Sequence, residues 1–184
     1  MITVFVWPFE NLDTWGHASL SINLSLHGGD HYISWWPTDH HSPKKGDDDG
    51  KKAVLYSAPP IHNRSFLDDC EGEALDYPAD DASISRDSGG VRRKSPKYVF
   101  NFFHGLKADA IVHWWRRYRH NPHAHWQTLG HNCSETVVKA LKKGGADEYI
   151  PWWVNEPHIW TPNSVVDWVR VLRSHMHTQR SQHR

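Results

Sequence analysis

The sequence predicts an α+β fold, with an antiparallel β-sheet built from the first half of the chain and a helical layer from the second. Three observations carry this. Residues 17–26 alternate: Ala18, Leu20, Ile22, Leu24 and Leu26 fall on one face, and His17, Ser19, Ser21, Asn23 and Ser25 on the other, the period of a half-buried strand. Later segments carry apolar residues at helical spacing instead. Strands precede helices rather than alternating with them, which favours α+β over a doubly wound sheet.

Each element has its own signal. Residues 2–7 (ITVFVW) are β-branched and aromatic and end at Pro8, so they read as a strand. After the alternating segment, Gly28-Gly29-Asp30 marks a turn and HYISWWP (31–37) the returning strand of a hairpin. KKGDDDGKK (44–52) is a charged loop, and AVLYS (53–57) has the composition of a short strand. Residues 61–96 are acidic, then basic at Arg92, Arg93 and Lys94, with few apolar anchors, and read as an irregular insertion. KYVFNFF (97–103) returns to strand composition. Ile111, Trp114, Trp115 and Tyr118 make a helical stripe that Asn121-Pro122 ends. A second helix begins near Cys133, uses Cys133, Val137, Ala140 and Leu141, and stops at Gly144-Gly145. A third starts at Thr161-Pro162 with the stripe Val165, Trp168, Val169 and Leu172, leaving SHMHTQRSQHR as a frayed tail. The expectation is one domain over 1–176 with an insertion at about 61–96, and a flexible tail over 177–184.

Bulk properties exclude several classes. The chain has 184 residues, with 21 Lys+Arg against 21 Asp+Glu, so net charge gives no case for a nucleic-acid partner or an anionic membrane. MITVFVWPFENLD has neither a basic n-region nor a long apolar core, so it is not read as a signal peptide. No apolar run reaches the length of a membrane span, so no stable membrane insertion is expected. The chain is expected to be made as a soluble protein and, if it leaves the cell, to be carried by another machine. Eleven Trp, many paired (Trp35-Trp36, Trp114-Trp115, Trp152-Trp153), suit a core and groove of large aromatics. The two cysteines occupy different settings: Cys70 in an acidic stretch, Cys133 at a helix start. A reactive site for one of them is a better reading than a bridge.

Asn132 and Glu135 have capping-box spacing, which makes Cys133 the first helical residue. The partial positive charge of a helix N-terminus favours thiolate, the nucleophilic form, and the free Cys133 amide is a candidate oxyanion donor. A thiol enzyme needs a base, normally His. His17 follows Gly16 at the start of a strand, whereas the His131 side chain should diverge from the helix start. Strict alternation places His17 on the face opposite the one a helix would cover, so a local twist or bulge at the strand end is expected.

WGHASLSI, HYISWWP and LGHNCSETVVKALKKGG, in that order, resemble the circularly permuted branch of the NlpC-type papain-like superfamily. That branch includes lecithin:retinol acyltransferase relatives, secreted bacterial toxins and cell-wall peptidases. WTPNSVVDWVRVL resembles the terminal helix of effectors delivered by type VI secretion. The resemblance covers roughly 1–37 and 97–172. It implies a permuted papain-like fold, with Cys133 as nucleophile, His17 as general base, and an orienting residue on the returning strand. If the turn centres on Gly28-Gly29, pairing brings residue 40 opposite His17. His40 is then the candidate, with His31, Ser34 and Asp39 open because a bulge shifts the register. Gln127 is a weak oxyanion candidate against its reading as an exposed loop residue.

The implied activity is cysteine-dependent hydrolysis of an amide bond, in a peptidoglycan peptide or a protein, by an antibacterial toxin-like effector. A cognate immunity protein would be its partner, and no cofactor, metal or nucleic acid is expected. One alternative is acyl transfer or thioester hydrolysis of the lecithin:retinol acyltransferase type. Another is a non-catalytic or metal-binding module using His120, His123 and His125, whose spacing does not match a strong zinc motif. The Arg116-Arg117-Arg119 helix face reads as solvated.

Overall fold

A computed structural model of the chain describes all residues except 12, 13, 39–56, 76, 79, 183 and 184. In chain order its elements are β1 (Ile2–Trp7), β2 (His17–Ile22), β3 (Tyr32–Ile33), β4 (Trp36–Pro37), β5 (Ser57–Ala58), β6 (Pro60–Ile61), α1 (Phe66–Leu75), β7 (Ile84–Arg86), β8 (Arg92–Lys94), β9 (Tyr98–Phe102), α2 (Ala108–Arg119), β10 (Trp126–Gln127), α3 (Cys133–Lys143) and α4 (Pro162–Gln182). The fold is α+β with antiparallel sheets, as the order of strand and helix signals predicts.

The main sheet has the order β3-β2-β1-β9. β1 is an interior strand and all six of its residues are buried, which explains why it lacks polar alternation. On one face Ile2, Val4, Val6, Ala18, Leu20, Ile22, Ile33, Phe100 and Phe102 meet the predicted helical stripes: Ile111 and Trp115 of α2, Val137 and Leu141 of α3, and Val165, Val169 and Leu172 of α4. On the other face Phe5, Trp7 and Tyr32 pack with Cys70 and Phe66 of α1. The sheet therefore has helices on both sides.

Four expectations are revised. β2 ends at Ile22, because Asn23 and Leu24 take left-handed backbone (φ 55° and 59°), and Leu24 is exposed. Only Tyr32 and Ile33 return to β2, opposite Ser21 and Leu20, while β4 pairs with β6 instead. The 61–96 segment is ordered into α1 and the β7–β8 hairpin, joined by an ion pair from Arg93 to Glu71. The polar tail extends α4 to Gln182, with Thr178 and Ser181 hydroxyls donating to carbonyls one turn earlier. The charged loop at 44–52 lies outside the described residues, as does most of the 53–57 segment; its last residue, Ser57, opens β5.

Candidate active site

Asn132 caps α3 in extended backbone (φ −89°, ψ 178°), and its Oδ1 accepts from the Glu135 amide at 2.9 Å. Its Nδ2 donates to the Thr128 and Trp160 carbonyls at 3.0 and 2.8 Å, tying the helix start to two loops. Cys133 is thus the first helical residue, as the capping spacing predicts. The Cys133 and Ser134 amides, at the first two positions, have no carbonyl within the helix to bond. Glu135 does not reach back to the cap. Its carboxylate pairs with Lys139 at 3.1 Å and His131 at 3.4 Å, which draws it outward along the helix surface.

The structure brings His17 to Cys133. His17 and the Ala18 backbone amide are near enough to the Cys133 thiol to favour its ionised form, and Sγ lies 3.9 Å from Ser134 Oγ. No bulge is needed, because β2 pairs with β1 without interruption from Trp7↔His17 to Ile2↔Ile22. His17 does face away from the α3 side, sharing its face with Trp7. The helix start lies level with the first residues of β2, so the thiol and the ring meet at the strand end. Gly16 makes the approach. It has φ +72°, and a Cβ there would lie 2.4 Å from the Trp7 carbonyl oxygen.

The carboxylate that meets the His17 ring is Asp69 of α1, a residue the sequence does not single out. Its Oδ2 lies 3.3 Å from His17 Nε2. Ser34 Oγ sits between them, 3.1 Å from the same nitrogen and donating to Asp69 Oδ1 at 2.8 Å. Tyr32 Oη and Trp36 Nε1 each donate to Asp69 at 2.8 Å, and Arg64 Nε approaches at 3.2 Å. With Nε2 turned toward Asp69 and Ser34, Nδ1 is left for the thiol. The Trp36 ring covers the imidazole at 4.4 Å between centroids, and the Arg64 guanidinium lies over Trp36 at 4.5 Å.

Of the open candidates for the third position, His40 and Asp39 lie outside the described residues, His31 is exposed, and Ser34 is in the cluster. Carrying the observed β2–β3 register back to His17 reaches Trp36, not residue 40, because the turn is centred earlier than Gly28-Gly29. Gln127 is exposed on β10 with its Oε1 over Gly130. Asp69 had one local signal: Ser65 and Asp68 form a capping box, Asp68 Oδ2 accepting from the Ser65 amide at 2.7 Å. That box marks a helix where composition suggested none.

Electrostatics follow from this geometry. Burial disfavours charge on His17, but Asp69 and Cys133 outweigh it and raise the imidazole to about 10. Burial likewise opposes ionisation of Cys133 and Asp69, yet the His17 charge lowers both below their ordinary values. Cys133 and His17 are only 8% and 2% exposed and Asp69 is fully buried, so the pairing is poorly screened. Cys70 is pushed the other way, to about 12, by burial and by Asp69. It is a packing residue beneath Phe5 and Trp7.

Arg116 and Arg119 both pair with Asp30. Among the described residues, no group of three or more His, Cys, Asp or Glu is placed to hold a metal ion. Among those residues, no helix is long and apolar enough to cross a membrane.

Comparison with known proteins adds a family. The model of the IcsB middle domain matches residues 1–76 and 73–184. The chain is also 39% identical over 70 residues to multifunctional-autoprocessing repeats-in-toxin proteins of Vibrio cholerae serotype O1 and of Vibrio vulnificus. Those stretches cover 38% of this chain but only 2% and 1% of the respective toxins, so the chain corresponds to a small part of each.

Proposed function

We propose that this chain, which belongs to the IcsB middle domain family, is a papain-like thiol enzyme that works through an acyl group on Cys133. The single observation that carries the reading is the buried Cys133–His17–Asp69 chain at a helix start. In the resting pair the charged His17 favours the thiolate form of Cys133. The thiolate attacks a carbonyl carbon, and the oxyanion is met by the first amides of α3. His17 gives its proton to the leaving group as the carbon–heteroatom bond breaks, leaving an acyl thioester on Cys133. His17 then takes a proton from the acceptor, which attacks the thioester and restores the thiolate. Asp69 keeps the ring oriented and stabilises its cation throughout.

With water as acceptor the enzyme is an amide hydrolase, on a peptidoglycan peptide or a protein. This is the first reading, in keeping with the permuted order of the NlpC-type superfamily. A specific observation favours a second one, acyl transfer to an amine or hydroxyl. Apolar side chains stand on the three segments that meet at the helix start: half-buried Trp15 beside Gly16, exposed Leu129 beside Gly130, and exposed Ile159 beside Trp160. Apolar residues on the segments that reach the helix start suit an acyl donor with an apolar chain. The toxin relatives support a secreted effector that acts in a target cell. A type VI route and a cognate immunity protein belong to the same proposal.

The test is intact-mass analysis of protein incubated with acyl thioesters of graded chain length and with peptide amides. An adduct on Cys133 that is absent in Cys133→Ala and His17→Ala supports the enzyme. Release as free acid assigns hydrolysis, and appearance of the acyl group on an amine assigns transfer. A folded Cys133→Ala protein that processes the same substrates at the wild-type rate overturns the proposal.

A further inference from the structure

At the other end of the sheet from Cys133, a cavity of about 590 Å³ opens between the end of β9, the turn after it and the outer half of α4. It borders Phe102, which pairs with Ile2 of β1, whereas His17 pairs with Trp7. The length of β1, roughly 17 Å at the rise of a strand, therefore separates the two places. This cavity plays no part in the chemistry described above.

Its wall is shaped by a backbone requirement. Gly105 has φ +90°, and a Cβ on it would sit 2.5 Å from Met176 Cε and 3.1 Å from Tyr149 Oη. The positive φ favours glycine at this turn, and Tyr149 Oη donates to the Gly105 carbonyl at 3.3 Å. The charge of the lining is one-sided. Arg173, Arg180, His104 and His177 face the cavity, and no Asp or Glu lines it among the described residues. Arg173 lies over the Phe100 ring at 5.9 Å, which fixes its stem against the sheet. Phe103, also in the lining, is 65% exposed.

We propose that this cavity is a second binding site, for a multiply charged phosphate-bearing group such as a polyphosphorylated lipid headgroup. Its volume suits a small organic ligand rather than a single ion. Arginine forks match phosphate oxygens two at a time, and the histidines add donors. The exposed Phe103 ring gives an apolar contact at the rim, where the acyl part of a lipid would begin. The proposal is independent of the reading of Cys133.

The experiment uses the full chain carrying Cys133→Ala, so that no turnover interferes. Calorimetry with inositol trisphosphate reads the free ligand. Co-sedimentation with phosphatidylcholine vesicles containing phosphatidylinositol bisphosphate reads the lipid, against phosphatidylserine vesicles of equal charge. The expected result is binding that weakens about tenfold or more in Arg173→Gln/Arg180→Gln. It should be retained in Arg170→Gln, which removes an exposed charge from the same helix outside the cavity. Both variants change exposed side chains, and an unchanged melting temperature checks that each is folded. Loss of vesicle binding alone in Phe103→Ser assigns the lipid source. Binding of the soluble trisphosphate without vesicle binding assigns the free source. No binding of either probe, or vesicle binding that follows charge alone and ignores the arginine pair, overturns the site.

Discussion

Cys133 and Cys70 are two buried thiols in one protein, and their surroundings set them apart. Burial disfavours the thiolate at both, but the His17 cation reverses this at Cys133, while Asp69 adds to it at Cys70. Peptide-mapped alkylation across pH should show Cys133 reacting below the ordinary thiol range and Cys70 staying inert in the folded protein. Equal, slow labelling of the two would overturn the pair. In His17→Ala the Cys133 limb should move up, because burial is then opposed only by the Ala18 amide and Ser134. Asp69→Asn keeps the shape and removes the charge. The His17 pKa should fall below about 10, and turnover by on the order of 10²–10⁴-fold. Unchanged turnover in that variant removes Asp69 from the site. Cys133 and His17 were legible in the sequence because each sits in a local pattern, Asn-Cys at a helix start and Gly-His at a strand start. Asp69 was not, because its role exists only where α1 crosses the far face of the sheet. Asn23 and Leu24 turn the chain early, so the observed β2–β3 register carried back to His17 reaches Trp36 rather than residue 40.

At the scale of elements, the site depends on how β2 and α3 begin. Asn132→Ala removes the cap and the two bonds that Asn132 Nδ2 donates to the Thr128 and Trp160 carbonyls. The expected cost is about 1–2 kcal/mol, read as a melting temperature lowered by roughly 2–8 °C. Asn132→Asp keeps the acceptor and loses only the two donated bonds, so it should fall between. Equal stability of all three proteins would show that the cap does not hold this helix. Gly16→Ala is a sharper test. It forces a Cβ to 2.4 Å from the Trp7 carbonyl oxygen at φ +72°, where only a backbone shift gives relief. That shift carries His17 with it, so Cys133 labelling at neutral pH should drop toward the His17→Ala level even in the folded fraction. Wild-type labelling there would mean that Gly16 does not position the histidine. The apolar stripes of α2, α3 and α4 were readable because each buries one face on the same side of the sheet. α1 escaped notice because its inward face is polar: Asp69 and Glu73 are buried beside Cys70 and Ala74. A helix whose buried residues include a bonded carboxylate has no hydrophobic period to detect.

Across the whole molecule, the Asp69–His17 contact joins α1 to the sheet, so the site and the fold share an ionisation. Asp69 has a lowered folded pKa, so it contributes stability above its unfolded value near 3.9; this is lost as pH falls through the lowered value. His17 is raised from 6.5 to about 10. Its contribution is full below 6.5 and is lost as pH rises through about 10. Cys133 opposes part of that loss, since its lowered pKa adds stability as pH rises toward the ordinary thiol range. Denaturant unfolding of the wild type at a series of pH values should therefore give a broad maximum between the carboxylate range and pH 10. In Cys133→Ala the imidazole keeps Asp69 but loses its thiolate, so the alkaline fall should begin at lower pH. In Asp69→Asn the acid limb should flatten, and the midpoint should drop at neutral pH because His17 loses its buried counter-charge. An acid limb of wild-type steepness in Asp69→Asn would show that other carboxylates govern acid unfolding. It would also show that α1 is held to the sheet by Phe66 and Cys70 against Phe5, Trp7 and Tyr32 without the ionic link.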